Sequence, residues 1–193
     1  SSSFCISAAS NSVVVPSPGL TLNLTALIEG YYNGVAMAKG PQVTVELRNA
    51  TAPFGVVATK NVTLTTAGTA SILFTTGATG VNYYICVKHI SSIQTWSTII
   101  NFPAGATLAY DFTTAMNKAY ASNMIQKGTK WCMFSGDTNQ DETVDVTDIL
   151  AIDNDAAAFD PHPETDLTGD DWVDTDDAII AFNNSSNFVS SAH

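Results

Sequence analysis

The sequence is poor in positive charge and has no long apolar run. Only seven of its 193 residues are Lys or Arg, against 18 Asp and Glu, which gives a formal net charge of −11 and a pI near 4.2. No basic stripe is available to neutralise phosphates, so a nucleic-acid partner is not expected. No apolar stretch approaches the roughly eighteen residues that span a membrane, so no membrane span is expected either.

Residues that commonly carry catalysis are also scarce. The three histidines, His89, His162 and His193, lie in no credible nucleophile motif, and no glycine-rich loop follows a strand and opens a helix. His89 is interpreted as the polar end of an exposed strand. The sequence therefore predicts a protein that is not an enzyme.

Cysteine is rare and odd in number. Cys5, Cys86 and Cys132 allow one disulfide with a leftover thiol, or a bond between molecules, in an exported chain. Cys86 lies in the segment NYYICVKH and is equally well explained as a buried strand residue. Both interpretations stay open at the level of sequence.

The two signs of charge are separated along the chain. All seven basic residues precede residue 131, where only Glu29, Glu46 and Asp111 oppose them. The other 15 acids follow, with no Lys or Arg among them. Without a metal ion this acidic part would repel itself, so we expect it to need cations in order to fold.

Most of these acids fall into a twelve-residue pattern. Its first copy is DTNQDETVDVTD, residues 137–148, with side-chain oxygens at positions 1, 3, 5, 9 and 12 and a backbone carbonyl available at position 7. That is the ligand spacing of an EF-hand calcium loop. The predicted ligands of a first ion are Asp137, Asn139, Asp141, Thr143, Asp145 and Asp148.

A second copy follows 29 residues later as DLTGDDWVDTDD, residues 166–177. Its predicted ligands are Asp166, Thr168, Asp170, Trp172 through its carbonyl, Asp174 and Asp177. Position 8 is apolar in both copies, as Val144 and Val173, and an apolar-periodic segment follows each loop. A merely acidic surface does not predict such a duplication, so we expect two bound calcium ions.

The duplicated loop-helix unit, closed by Asp in each copy, resembles the type I dockerin of secreted bacterial proteins. The resemblance covers about residues 135–189 and implies calcium binding at the positions named above. It also implies a location outside the cell or on its surface, and a cohesin-like partner. Calcium loops that close on Asp suit millimolar extracellular calcium, which agrees with export.

Two departures from the dockerin pattern concern single positions. Position 6, where glycine turns most easily, is Glu142 in one loop and Asp171 in the other. Positions 10 and 11, which dockerins use to recognise cohesin, often as a Ser/Thr pair, are residues 146–147 (Val, Thr) and 175–176 (Thr, Asp). The calcium ligands of the dockerin pattern are therefore expected in this chain, whereas its cohesin partner does not carry over.

The part before the loops reads as short strands. Residues 20–115 show period-two alternation and β-branched enrichment, broken by turn signals, which predicts an antiparallel β-sandwich of the immunoglobulin-like or transthyretin-like kind. The fold class is therefore mainly β plus small α, with residues 116–134 as a linker to a module at 135–193. The expected inner face includes Leu22, Leu24, Val43, Val45, Leu73, Tyr84 and Trp96.

Residues 1–19 are predicted to form an N-terminal arm. The apolar run Val13 to Val15 ends at Pro16 and Pro18, and such a run can add a strand to a sheet edge. On its own molecule the arm would be the first strand of the sandwich. On the next molecule it would join subunits head to tail into a filament.

The sequence as a whole predicts a calcium-stabilised extracellular structural protein, a fibre subunit linked through its N-terminal arm. The alternative is a dockerin-type adaptor that docks a secreted, carbohydrate-active protein to a cohesin or a cell-surface scaffold. The first residues lack the basic start and continuous apolar stretch of a signal peptide, so we expect a mature, processed chain.

Overall fold

The computed structural model describes residues 19–158 and 162–193. Within these ranges, ten strands are followed by two α-helices. The strands are β1 Leu20–Thr25, β2 Gln42–Asn49, β3 Val56–Thr63, β4 Thr69–Phe74, β5 Asn82–His89, β6 Ser92–Trp96, β7 Ile100–Asn101, β8 Thr107–Asp111, β9 Ile125–Lys127 and β10 Lys130–Cys132. The helices are α1 Val146–Ala158 and α2 Thr175–Ser186.

Two sheets form a sandwich. One has the strand order β3-β2-β5-β6, with β7 also paired to β5, and the other has the order β4-β1-β8. The pairs are antiparallel except for β1 and β8, which run parallel from Thr21 opposite Thr107 to Thr25 opposite Asp111. The predicted fold class, a β-sandwich followed by a small pair of loop-helix units, is confirmed.

The core between the sheets contains four of the seven residues expected there, Leu22, Leu24, Val43 and Val45. Leu22 and Val45 are fully buried, while Leu73 on β4 is 54% exposed and its neighbours Ile72 and Phe74 point inward. The expected inner position of Leu73 was therefore wrong. Because side chains alternate along a strand, an assignment shifted by one residue reverses the face.

The other face of the five-stranded sheet carries its own small cluster. Tyr84, Cys86 and Trp96 are buried there, with Phe54 packed against them. The expected inner-face position of Tyr84 and Trp96 was therefore wrong, although both side chains are buried.

The segment predicted as a linker, residues 116–134, is built onto the sandwich. It contains short 3-10 turns and the β9–β10 hairpin, and Cys132 and Met133 belong to the main core. The N–H of Met133 donates to the carbonyl of Leu27 at 2.8 Å, and the N–H of Glu29 donates back to the carbonyl of Met133 at 3.0 Å. These bonds fix the point at which the chain enters the first loop.

The two loop-helix units pack together around a second core that includes one residue of the sandwich. Ile93 of β6 is fully buried in this cluster, and its N–H donates to the carbonyl of Phe134 at 3.0 Å. The other buried members are Val144, Ile152, Leu167, Val173, Ala181 and Val189. The loops are therefore held against the sandwich by apolar packing as well as by the chain connection.

Each helix begins on an aspartate from its preceding loop. The side chain of Asp174 caps α2 by accepting from the N–H of Asp176, and Asp177 closes a capping box with the N–H of Asp174. At α1, Asp145 accepts from the N–H of Thr147, and Asp148 accepts from the N–H of Asp145. Positions 9 and 12 of each loop thus define the helix start.

Neither helix of the described ranges has the length and apolar character needed to cross a membrane. The predicted arm, with Cys5 and the run Val13 to Val15, lies outside the described residues, apart from residue 19.

Candidate metal centre

Four carboxylates at the ends of the two loops are buried. Asp137 and Asp148, at positions 1 and 12 of the first loop, are 2% and 0% exposed, and their counterparts Asp166 and Asp177 are 3% and 0% exposed. Burying a carboxylate is unfavourable unless donors or positive charge compensate it. Residues 131–193 contain no Lys or Arg, so compensation comes from backbone donors, from the sandwich or from a bound cation.

The same six hydrogen bonds recur in both loops. In each loop the carboxylate at position 1 accepts from the N–H groups of positions 5 and 6, and that at position 12 accepts from positions 3 and 9. The carboxylate at position 5 accepts from position 7, and that at position 9 accepts from position 11. The acceptors are Asp137, Asp148, Asp141 and Asp145 at 2.7–3.3 Å in the first loop and Asp166, Asp177, Asp170 and Asp174 at 2.8–3.2 Å in the second.

The predicted ligands without a carboxylate lie in the same turns. Asn139 accepts from the N–H of Asp141 at 2.9 Å through Oδ1, and the hydroxyl of Thr168 lies 3.4 Å from Asp166 Oδ1. Thr143 and Trp172 occupy position 7, where only the backbone carbonyl was expected to serve, and the Trp172 side chain is 65% exposed. The two copies of the sequence pattern therefore fold into two copies of one turn.

Burial and like charge act together on these acids. Burial, together with the nearby Asp148 and Asp141 carboxylates, raises the pKa of Asp137 to about 7, against the backbone hydrogen bonds of Glu142 and Asp141 that lower it. Burial is also the main cause of the raised pKa of Asp177. An acid with a raised pKa is one whose charged form lacks a counter-charge, and a divalent cation would supply it.

The donor chemistry of the loops fits calcium. Within residues 19–158 and 162–193, no three His, Cys, Asp or Glu side chains lie close enough together to hold a metal ion, although each predicted set contains four aspartates. The predicted sets mix carboxylates with amide, hydroxyl and carbonyl oxygens, which are the hard ligands that calcium takes six to eight at a time. A carboxylate offers about four lone-pair sites, so accepting an N–H leaves capacity for a cation.

The residues at position 6 of both loops make side-chain contacts that a glycine could not make. Glu142 and Asp171 have φ of 72° and 71°, the left-handed backbone that favours glycine. Yet Glu142 Oε1 accepts from Gln94 Nε2 at 2.6 Å, and Asp171 Oδ1 accepts from Lys39 Nζ at 2.5 Å. Both side chains reach the sandwich, a role that the loop pattern alone did not predict.

A buried polar contact also joins the sandwich to the second helix. Glu29 Oε2 accepts from the N–H of Ser135 at 3.1 Å and from Asn184 Nδ2 at 2.7 Å. Burial raises the pKa of Glu29, although these two hydrogen bonds and the charge of Lys127 lower it. No pattern in the sequence indicates this contact, because Glu29 lies 106 and 155 residues before Ser135 and Asn184.

Glycines allow the closest approach between the two parts. A Cβ on Gly169, where φ is 75°, would lie 2.6 Å from the ring of Tyr31. A Cβ on Gly30 would lie 1.9 Å from the carbonyl oxygen of Leu167. Tyr31 is buried in this contact and meets the ring of His89 edge-on at 5.1 Å, so His89 is not the exposed strand end that the sequence suggested.

The last described segment, residues 189–193, ties the first loop to the sandwich. The N–H of Val144 donates to Val189 at 2.9 Å, and the N–H of Ser191 donates to the carbonyl of Glu142 at 2.7 Å. His193 stacks on Trp96, with ring centroids 4.2 Å apart. Together with Phe54, Tyr84 and Arg48, this ring covers Trp96, which is only 6% exposed.

Both helices leave large apolar side chains exposed. Val146 and Leu150 of α1 are 61% and 54% exposed, and Ile179 and Phe182 of α2 are 50% and 60% exposed. Val146 occupies position 10 of its loop. These four exposed residues are called the apolar helix set below.

Comparison with known proteins identifies the fold but not a family. No protein-family model matches the chain, and the search of curated proteins gave no match. One similar solved chain comes from a C-terminal interface mutant of a type II Cohesin-X-Dockerin complex from Acetivibrio cellulolyticus, with a TM-score of 0.52 and 18% identity over 88% of this chain and 100% of that chain. Another comes from an N-terminal interface mutant of that complex, with a TM-score of 0.49 and 16% identity over 89% and 99%.

The extent of the first match is informative about the fold. An alignment confined to the residues before 135 would cover at most about 69% of this chain, so a match to 88% extends into the loop-helix units. At 18% identity the likeness concerns the fold alone.

Proposed function

We propose that this chain is a non-enzymatic, calcium-stabilised module that joins proteins into an assembly outside the cell. The observation that carries the proposal is the repetition of six hydrogen bonds in two loops that each bury two carboxylates. A capping role alone accounts for positions 9 and 12 but not for the buried acid at position 1 or the alternating donors between them.

Calcium would act as a structural cross-link. Each ion supplies two positive charges that neutralise the buried carboxylates and tie the turn to the start of its helix. The first ion would be held by Asp137, Asn139, Asp141, Thr143, Asp145 and Asp148, and the second by Asp166, Thr168, Asp170, Trp172, Asp174 and Asp177. Because Glu142 and Asp171 hydrogen-bond to Gln94 and Lys39, calcium binding in the loops would also stabilise the contact with the sandwich.

The adaptor is the first form that this function can take. A chain of a Cohesin-X-Dockerin complex shares the fold, which supports a scaffold or adaptor role that is not catalytic. The apolar helix set would form the centre of the contact with a cohesin-like partner, since exposed apolar side chains rimmed by charge are typical of docking surfaces.

The fibre subunit is the second form. Strand β3 lies at one edge of the five-stranded sheet, and β4 and β8 lie at the two edges of the other sheet. An edge strand can accept an extended segment from another chain. We propose the apolar run of the arm, Val13 to Val15, as that segment, which would link copies head to tail.

Calorimetry and electron microscopy on the full chain test these points. The wild type should bind two calcium ions and Asp148→Ala one, because each loop supplies its own ligands; absence of calcium binding would contradict the proposal.

Deleting residues 1–18 should abolish fibres while calcium binding persists if the chain polymerises through its arm. A Leu150→Asp, Phe182→Asp variant should lose a cohesin-like partner but keep fibres, so the two forms of assembly are separable.

A further inference from the structure

The sandwich presents different chemistry to the two loops. At the second loop, Lys39 Nζ lies 3.2 Å from Asp166 Oδ2 and 2.5 Å from Asp171 Oδ1. At the first loop the corresponding contact at position 6 is the neutral amide of Gln94, 2.6 Å from Glu142. The ammonium group of Lys39 therefore contacts position 1 of the second predicted site. At the first loop, Arg48 and Lys88 line the same pocket as Glu142, but both are paired with Glu46.

Lys39 is held in place rather than merely nearby. Its Nζ lies 5.8 Å from the centroid of the Tyr31 ring, and Gly169 of the loop packs on the same ring. A lysine ammonium is charged at neutral pH, so these contacts place a positive charge beside the loop.

We propose that Lys39 makes the second loop the weaker calcium site, so that the two loops fill in sequence with the first loop leading. This inference rests on the proposed calcium function. The predicted ligands include four aspartates in each loop, so ligand charge alone predicts equal affinities. A cation on Asp166 breaks that equality, because it repels the ion and competes for the same carboxylate.

The size of the effect follows from the charges. The Lys39 side chain is 39% exposed, so solvent partly screens its charge. We expect this charge, several ångströms from a divalent ion, to weaken calcium binding by about ten-fold. The difference between the loops should shrink as salt concentration rises, since salt screens partly exposed charges. The consequence is a module that is ordered in two steps as calcium increases.

Calorimetric titration of single-loop variants tests the proposal. Asp141→Ala leaves only the second loop functional, and Asp170→Ala leaves only the first; both removed side chains stand at position 5 and are exposed, so the fold is little disturbed. Lys39→Met should raise the calcium affinity about ten-fold in the Asp141→Ala background and leave it unchanged in the Asp170→Ala background. Terbium emission sensitised by Trp172, which stands in the second loop, gives an independent readout of that site.

Controls separate charge from packing. Lys39→Arg keeps the charge and should match the wild type, and Lys39→Gln keeps a donor without the charge and should match Lys39→Met. Lys60→Met removes one positive charge from β3, where Lys60 pairs with Val45, and should leave both affinities unchanged. If removing the Lys39 charge leaves the second loop unaltered or weakens it, the inference is wrong even though calcium binds. If the wild type binds no calcium, the proposed function fails as well.

Discussion

Glu142 and Asp171 occupy the same position, position 6, of the two loops, and their φ angles are nearly equal at 72° and 71°. Each accepts a hydrogen bond from a side chain of the sandwich, Gln94 and Lys39 respectively. A non-glycine residue in this conformation costs roughly 1–2 kcal/mol. The same strain at both copies, together with a cross-module contact at both, indicates that the loops are built to dock on the sandwich. The departure from glycine is therefore a feature of the interface.

A double-mutant cycle measures this docking. Glu142→Gly relieves the backbone but removes the acceptor for Gln94, and Gln94→Ala removes the same bond from the other side. We expect a coupling energy of about 0.5–1.5 kcal/mol in urea unfolding, the usual range for a hydrogen bond with a charged acceptor that is partly exposed. Strictly additive effects would show that the contact contributes nothing to stability.

The loops and strands could be predicted from the sequence, but the contacts between the loops and the sandwich could not. The loop pattern is local, since twelve consecutive residues carry the ligand spacing, and the strand pattern is local too, as Leu22 and Val45 show. Lys39 and Asp166 are 127 residues apart, and Glu29 and Asn184 are 155 apart. Such contacts leave no periodic signal, because they depend on how two finished units pack. The prediction for Leu73 was wrong for a different reason. A shift of one residue along a strand moves a side chain to the opposite face of the sheet.

Calcium removal should destabilise the protein. Chelation leaves the buried carboxylates Asp137, Asp148, Asp166 and Asp177 without a divalent counter-charge. At free calcium of about one hundred times Kd, each site contributes about 2.7 kcal/mol, so excess EDTA should lower Tm measurably. Calorimetric melting with and without EDTA tests this, and magnesium added at the same concentration is the control. A melting curve indifferent to EDTA would falsify the stabilising role.

Acid should weaken the contact around His89. Burial lowers the pKa of His89 to about 4, against 6.5 for a free imidazole, although the charge of Asp166 opposes the shift. The unfolded chain therefore binds a proton between pH 6.5 and 4 while the folded chain does not, and stability falls as pH falls through this window. The loss is at most about 3 kcal/mol. His89→Gln should flatten urea-derived stability across that range relative to the wild type.

The thiols of Cys86 and Cys132 should be inert in the folded protein. Both are free and buried, and burial raises the pKa of each to about 12. A thiol reacts as its thiolate, so an alkylating agent at pH 8 should modify neither residue until denaturant is added. Mass spectrometry of peptides before and after unfolding gives the answer, with Cys5 in the same digest as a separate site. Rapid labelling of either residue in native buffer would contradict their burial.

Glu29 should stabilise the contact between the loop-helix units and the sandwich because its side-chain oxygen accepts two hydrogen bonds, and not because it is charged. Its carboxylate receives the N–H of Ser135 and the amide of Asn184, and burial raises its pKa above 4.5. The folded protein thus holds this proton more tightly than the unfolded chain, so the contribution of Glu29 becomes less favourable as pH rises above 4.5.

Two substitutions at Glu29 separate these effects. Glu29→Gln keeps an oxygen acceptor and abolishes the charge, so at pH 7 we expect a stability equal to or above that of the wild type. Glu29→Ala leaves two buried donors unpaired and should cost about 2–4 kcal/mol, a penalty of about 1–3 kcal/mol for an unsatisfied buried group plus the lost packing. Asn184→Ala is the matched change on the other side, and its effect should be largely lost in the Glu29→Ala background. If Glu29→Gln proved as damaging as Glu29→Ala at pH 7, the ionised carboxylate itself would be the group that holds the two parts together.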